Sequence, residues 1–147
     1  MADPITPRHY DPEVAEMMKA TTMTGLPEFL QIRTVDAGPA FLVAELDARS
    51  ELQNPFGSLH GGVISALVDH VLGAVLYPVI ERGAWAATTE FKLNLLAPVH
   101  EGVVQARAVI ISMTKRTAVV TVEVSNAGRL CGLAQGTVLI ASPRPTS

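Results

Sequence analysis

The stretch Asn54–Pro78, NPFGSLHGGVISALVDHVLGAVLYP, decides how the rest of the chain must be arranged. From Gly61 to Ile80 it is apolar almost all round, the character of a helix with no solvent-facing side. Pro78 disfavours helical geometry at the residue before it, so the spacing predicts a helix ending near Tyr77. His60-Gly61-Gly62 opens this helix, and a single carboxylate, Asp69, stands beside His70 in its middle. Burying a carboxylate is expensive, so Asp69 asks for an explanation that packing alone does not supply.

A run this long could span a membrane. Asp69 and His70 would then lie near the bilayer centre, at a cost of about 3 kcal/mol or more. The remaining sequence also reads as strands that need a helix to cover them, so no membrane span is expected. With 147 residues the chain suits a single domain over 1–147. A hydrophobic share of 48% against 17% charged is the balance of a globular core. The net charge of −3 lacks the basic stripe that nucleic acid requires. One cysteine, Cys131, allows no internal disulfide, which fits a reducing cytoplasm. The beginning MADPITPRHYDPE has no basic region followed by an apolar run, so no signal peptide is expected.

Asp11 as N-cap, Pro12 behind it, early acids and a late lysine predict a short helix to about Thr21, within an N-terminal helical extension over 1–28. FLQIRTVD and AFLVAELDA flank the turn signal AGP and read as an antiparallel hairpin. After the apolar helix come four strand-like runs: AATTEFKLNLLAPV, GVVQARAVIISM, TAVVTVEVSN and LCGLAQGTVLIA. Short turns at TKR and NAGR join them, so a meander is the natural reading. The tail from 143 to 147 is expected to fray. The fold class is therefore α+β: a long central helix wrapped by a curved antiparallel sheet, with a short N-terminal helix. One sheet leaves edges to protect, and an oligomer resolves that economically.

Helix geometry constrains the chemistry. His60 and Asp69 are nine residues apart, about 900° of rotation and about 13 Å along the axis. They cannot meet within one chain, but a two-fold dimer can bring one chain's pair member to the other's. The glycines at Gly61 and Gly62 let a ligand approach a helix N-terminus, where free N–H groups favour developing negative charge. Aimed at a carbonyl oxygen they form an oxyanion hole. Asp69, more basic in an apolar setting, serves as general base for water or attacks the carbonyl itself. Acyl transfer to water is the reaction class that results.

Asn54, Gly57, His60-Gly61-Gly62 and Asp69, followed by TTEFKLNLLAPV, resemble the hotdog-fold acyl-CoA thioesterases of the phenylacetate-pathway (PaaI-like) type, over roughly residues 30–141. The resemblance implies a homodimer assembling into a homotetramer that hydrolyses acyl-CoA without metal or cofactor. It implies Asp69 as the acidic nucleophile or general base and Gly61 as the N–H donor to the thioester carbonyl. His60 and Asn54 would line the thioester end from the partner subunit, and Thr88 would position the attacking water. Thr88 shares strand parity with Glu90 and Lys92, away from Phe91, Leu93 and Leu95, with Thr89 as the fallback. Gly62, Phe56 and Leu72 are candidate substrate contacts, and Met17, Met18 and Trp85 further lining of an apolar pocket. Lys115 and Arg116 are candidate contacts for coenzyme A phosphates. His60, His70 and His100 lack metal-ligand spacing. Cys131 has no evident base beside it and reads as a small apolar residue. His70 is the sharpest departure from the family pattern and has no assigned role. Two other functions share this cleft: a non-catalytic acyl-CoA-binding module, distinguished by binding without hydrolysis, and a hotdog hydratase or dehydratase, distinguished by an enoyl-CoA hydration assay.

Overall fold

A computed structural model of the chain describes residues 3–145. Two short helices lead: α1 (Pro12–Ala20) and α2 (Leu26–Leu30). They are followed by β1 (Arg33–Gly38), β2 (Phe41–Asp47), the central helix α3 (Gly61–Ala74), β3 (Trp85–Leu95), β4 (Val103–Met113), β5 (Thr117–Asn126) and β6 (Arg129–Ala141). The six strands form one antiparallel sheet in the order β1-β2-β4-β5-β6-β3.

Local chemistry accounts for most of these boundaries. Asp11 caps α1 by accepting from the N–H groups of Glu13 and Val14, and Pro12 takes the first helical position. The cap also holds the helix in place. Arg82 Nε donates to Asp11 at 2.7 Å and keeps that carboxyl below the usual carboxylate range. Asp11 N–H donates to Pro78 O, so α1 is pinned to the segment that follows α3. The β1–β2 hairpin turns on Pro39 and Ala40, and the β5–β6 hairpin on Ala127 and Gly128, both of which have positive φ. Thr114 closes the β4–β5 turn by accepting from the N–H groups of Arg116 and Thr117.

Three expectations about the elements need correction. FLQI is not strand: Phe29 and Leu30 belong to α2, which Gln31 ends in the left-handed conformation, and β1 starts at Arg33. The α-helix stops at Ala74, and Tyr77–Val79 form a 3-10 turn around Pro78. The meander holds for β4, β5 and β6, but β3 pairs with β6 at the far edge. Its connection to β4 crosses the end of the sheet instead of turning back, tied down where Leu59 N–H donates to Val99 O at 2.7 Å. The tail is irregular chain through 145, and its last two residues lie outside the described residues.

The sheet is curved because its strands carry irregularities that bend them. Register shifts occur between Thr34 and Asp36, Thr88 and Glu90, Ile110 and Ser112, and Val124 and Ser125. The concave face receives α3. Ile64, Leu67, Val68, Val71, Leu72 and Val75 are all buried on its inward stripe, at the helical spacing. Each large side chain so buried contributes about 1.5–3 kcal/mol. By length and composition Gly61–Val79 could cross a membrane, but this inward stripe packs on the sheet.

Helix and sheet approach each other closely at Gly136. A Cβ there would lie 2.8 Å from the Glu90 carbonyl oxygen and 3.0 Å from Leu72 Cδ1. The backbone oxygen cannot swing aside. Gly136→Ala is therefore expected to destabilise the fold by about 1–3 kcal/mol, read as a lower urea midpoint. Wild-type stability in that variant would contradict the close approach of helix and sheet.

Candidate active site

The start of α3 is built by the loop before it. Asn54 Oδ1 accepts from the N–H groups of Phe56 and Ser58, while its Nδ2 donates to Ser58 Oγ at 2.9 Å. The amide is spent on shaping its own loop. The loop is in turn clamped to the β3–β4 connection, through Leu59 to Val99 and through Gln53 Nε2 to His100 O. His60 lands as the N-cap of α3, and its Nδ1 accepts from Gly62 N–H at 2.8 Å. That bond requires an unprotonated Nδ1, so the ring's proton sits on Nε2 and is directed away from the cap.

Gly61 is left free by this arrangement. Its N–H has no acceptor among the described residues, as befits the first position of a helix. Gly61 lines a small cavity of about 250 Å³ together with Asn54, Ser58 and Leu95. A Cβ on Gly61 would come within 2.8 Å of Leu95 Cδ1, so glycine keeps the donor approachable. Leu95 as a wall of this site was not anticipated, since strand pattern alone does not say which strand end meets the helix start.

Asp69 lies elsewhere on the same helix. Counting from Gly61, it is eight residues and about 12 Å along the axis. It is exposed, contrary to the expectation of an apolar surrounding. Gly62, Ala66, Asp69, Gly73 and Tyr77 form an outward stripe that this chain leaves uncovered or half covered. Small residues there kept the hydropathy high and disguised an open face as a buried one. The Asp69 carboxylate has no hydrogen-bond or ion-pair partner among the described residues.

Thr88 joins the helix side of the sheet. Its expected parity with Glu90 is broken by the bulge at Thr89: Thr88 pairs with Val138 while Glu90 pairs with Thr137. Val138 is fully buried beneath α3, so Thr88 faces the same way as Phe91 and Leu93. Thr89 is spent on the bulge, donating to Thr137 O. Other candidates fall outside this group. Leu72 is fully buried over Gly136, Phe56 is exposed at a loop tip, and Trp85 pairs with Ala141 on the opposite sheet face. Lys115 and Arg116 sit at the β4–β5 tip. Arg116 is bonded to Ile140, while Gly61 and Leu95 lie at the Gly132 end of β6. Those ends are eight residues, or about 26 Å, apart along the strand.

A second cavity, of about 350 Å³, opens between α1 and the later half of α3. Met17 and Met18 line it as expected, joined by Met23, Gly73 and Ala86. His70 forms part of its wall, and burial lowers the imidazole pKa while the neighbouring Asp69 carboxylate raises it less. Cys131 is buried, and burial pushes its thiol pKa up, away from a thiolate nucleophile. Among the described residues no three His, Cys, Asp or Glu side chains are grouped to hold a metal ion.

Comparison with known proteins places the chain in a family. The model of the thioesterase superfamily matches residues 56–132, from the loop before α3 into β6. A 1,4-dihydroxy-2-naphthoyl-CoA hydrolase of Listeria monocytogenes is 30% identical over 102 residues, covering 69% of this chain and 83% of that protein. Human acyl-coenzyme A thioesterase 13 is 28% identical over 107 residues, covering 72% of this chain and 76% of its own length. Among solved structures, a thioesterase of Haemophilus influenzae matches with a TM-score of 0.81 at 24% identity, over 87% of this chain and 90% of that one. The PaaI protein of the E. coli phenylacetic acid degradation operon matches with a TM-score of 0.79 at 20% identity, over 91% and 95%. At those identities the structural likeness speaks for the fold. With the helix start, the wrapped helix and the matched segment in agreement, the chain belongs to the thioesterase superfamily and is a hotdog-fold thioester hydrolase.

Proposed function

We propose that this protein hydrolyses acyl-CoA thioesters at a site composed of Asp69 from one subunit and Gly61 from another. One observation carries the reading: both groups are unpartnered among the described residues, yet a single helix holds them about 12 Å apart. A substrate carbonyl cannot touch both in one chain. The edge strand β3, unpaired on its outer side, and the uncovered stripe of α3 offer the surfaces for a second copy. Pairing of two dimers into a tetramer and a cytoplasmic setting complete the proposal.

In this site Asp69 takes a proton from water, whose oxygen attacks the thioester carbonyl carbon. The carbonyl electrons move onto oxygen, where the Gly61 N–H at the positive end of α3 receives them. Collapse restores the carbonyl and breaks the carbon–sulfur bond, and the departing thiolate recovers the proton from Asp69. The products are a free acid and coenzyme A. Direct attack by Asp69 is the variant of this scheme, with water cleaving the resulting anhydride. In this scheme His60 Nε2–H and Thr88 supply polar groups to the carbonyl and the water. Phe56, Lys115 and Arg116 remain candidates for the coenzyme A portion, reached from a neighbouring subunit.

Free-thiol release from a panel of acyl-CoAs tests the chemistry. Asp69→Asn is expected to lower kcat about 10²–10⁴-fold. Gly61→Pro removes the proposed donor without breaking the helix, because proline is accepted at the first helical position and His60 is already extended, with φ −61° and ψ 133°; Gly61→Ala, which adds the same Cβ against Leu95 but keeps the N–H, is its control. The proline variant is expected to cost about 10²–10³ in kcat. Unaltered turnover in either variant would remove that residue from the mechanism.

Sharing of the site has its own signature. When the two inactive variants are unfolded together and refolded as a mixture, half of random dimers combine one of each chain. Each such dimer carries one intact pair, so about a quarter of wild-type activity is expected to return. A site confined to one chain would recover none. Light scattering should show a dimer or tetramer, and a fully active monomer would contradict the proposal.

A further inference from the structure

The chain ahead of α1 is laid along the sheet as an arm and held at both ends. Strand β4 runs on past the start of β2, where Phe41 pairs with Val109 and Ile110 N–H donates to Ala40 O at 2.9 Å. The arm joins β4 there, Ile5 N–H donating to Ile110 O at 3.0 Å. At the arm's other end Asp11 N–H donates to Pro78 O. Between these ties the arm borders a cavity of about 780 Å³, whose other walls are Val79, residues 111–114 and Lys115.

Those walls divide by chemistry. Ile5, Val79, Ile111 and Met113 are aliphatic, and Val79 is buried. Arg8, His9 and Lys115 stand around them, with the hydroxyl residues Thr6 and Ser112. Among the described residues no carboxylate lines the cavity. Elsewhere in the chain Lys19, Arg33, Arg49 and Arg82 each pair with an acid. Arg8, His9 and Lys115 have no side-chain hydrogen bond or ion pair among the described residues. The nearby acids Asp11 and Glu81 border a separate cavity beyond His9, and Asp11 is taken by Arg82 Nε.

Unpaired cations around an aliphatic floor are complemented by an anion with an apolar body. A guanidinium meets two oxygens of a carboxylate or phosphate at once, and an ammonium adds a point charge. The aliphatic walls take hydrocarbon out of water. Apart from His9 no aromatic ring lines the cavity, so a nucleotide base would find little to stack on. We propose that this cavity binds an amphiphilic anion, an aliphatic carboxylate or phosphate monoester, with its head group on Arg8 and Lys115 and its chain against Val79, Ile111 and Met113. It shares no lining residue with the Gly61 cavity or with the one between α1 and α3, so the inference stands apart from the hydrolytic reading.

Calorimetric titration of the full chain tests it with decanoate, decyl phosphate, decanol, inorganic phosphate and coenzyme A. At least one decyl anion is expected to bind about tenfold or more tighter than decanol, which lacks the charge, and than inorganic phosphate, which lacks the chain. The head group that responds tells a carboxylate ligand from a phosphate one. Arg8→Glu should weaken that binding about tenfold or more. Ser112→Trp should abolish it by filling the cavity. Both positions are exposed, so both variants are expected to keep the wild-type circular dichroism spectrum. The proposal is overturned if neither anion binds, or if decanol binds as tightly as both. Binding that both variants leave unchanged lies elsewhere on the protein and also overturns it. So does coenzyme A displacing the decyl anion with the same dependence on Arg8, since the cavity would then belong to the thioester substrate.

Discussion

Helix α3 buries one stripe of leucine, isoleucine and valine side chains in the concave face of the sheet, and the positions of the reactive groups are set by that packing. With Leu67, Val68, Val71 and Leu72 fully buried, the rotation of the helix about its axis is determined. Asp69 must then point outward and Gly61 must stand over Leu95. Among the described residues neither group has a hydrogen bond of its own. Hydrophobic contacts on the opposite side of the helix set its rotation, which is why a rigid core matters to the chemistry.

The start of the helix is governed by a different force. Polar groups in the preceding loop are almost all spent inward: Asn54 on its own turn, His60 Nδ1 on Gly62, Leu59 N–H on Val99. This leaves the Gly61 N–H as a donor without an acceptor among the described residues. A dipole end and an unspent donor coincide there, and preorganised donors of this kind need no rearrangement when charge develops. Neighbouring Gly62 differs sharply, since its N–H is already committed to His60.

Much of this was legible in the sequence because it depends on local signals. Asp11 with Pro12, the turns before β5 and β6, and the glycine-opened helix all declare themselves within a few residues. The misreadings have a common physical origin, in that each depended on contacts distant in sequence. The far-edge position of β3 is set by pairing with β6, some forty residues later. The open stripe of α3 looked buried because alanine and glycine are apolar without being large. The cavity beside His70 could not be foreseen, because α1 closes it from a distant part of the chain and its Met23 and Ala86 walls come from segments with no motif at all.

The bulge at Thr89 has a consequence for how the family can vary. It divides β3 into two parts with independent facing: residues 90–95 run from the Gly136–Leu72 contact to Leu95 against Gly61, and Ala86, beyond the bulge, lines the cavity between α1 and α3. A single insertion or deletion at this joint would exchange which residues of 85–88 face the helix while leaving the facing of 90–95 unchanged. The strand is thus a spliced rod, in which the part near the cavity between α1 and α3 can be re-dealt without dismantling the fold.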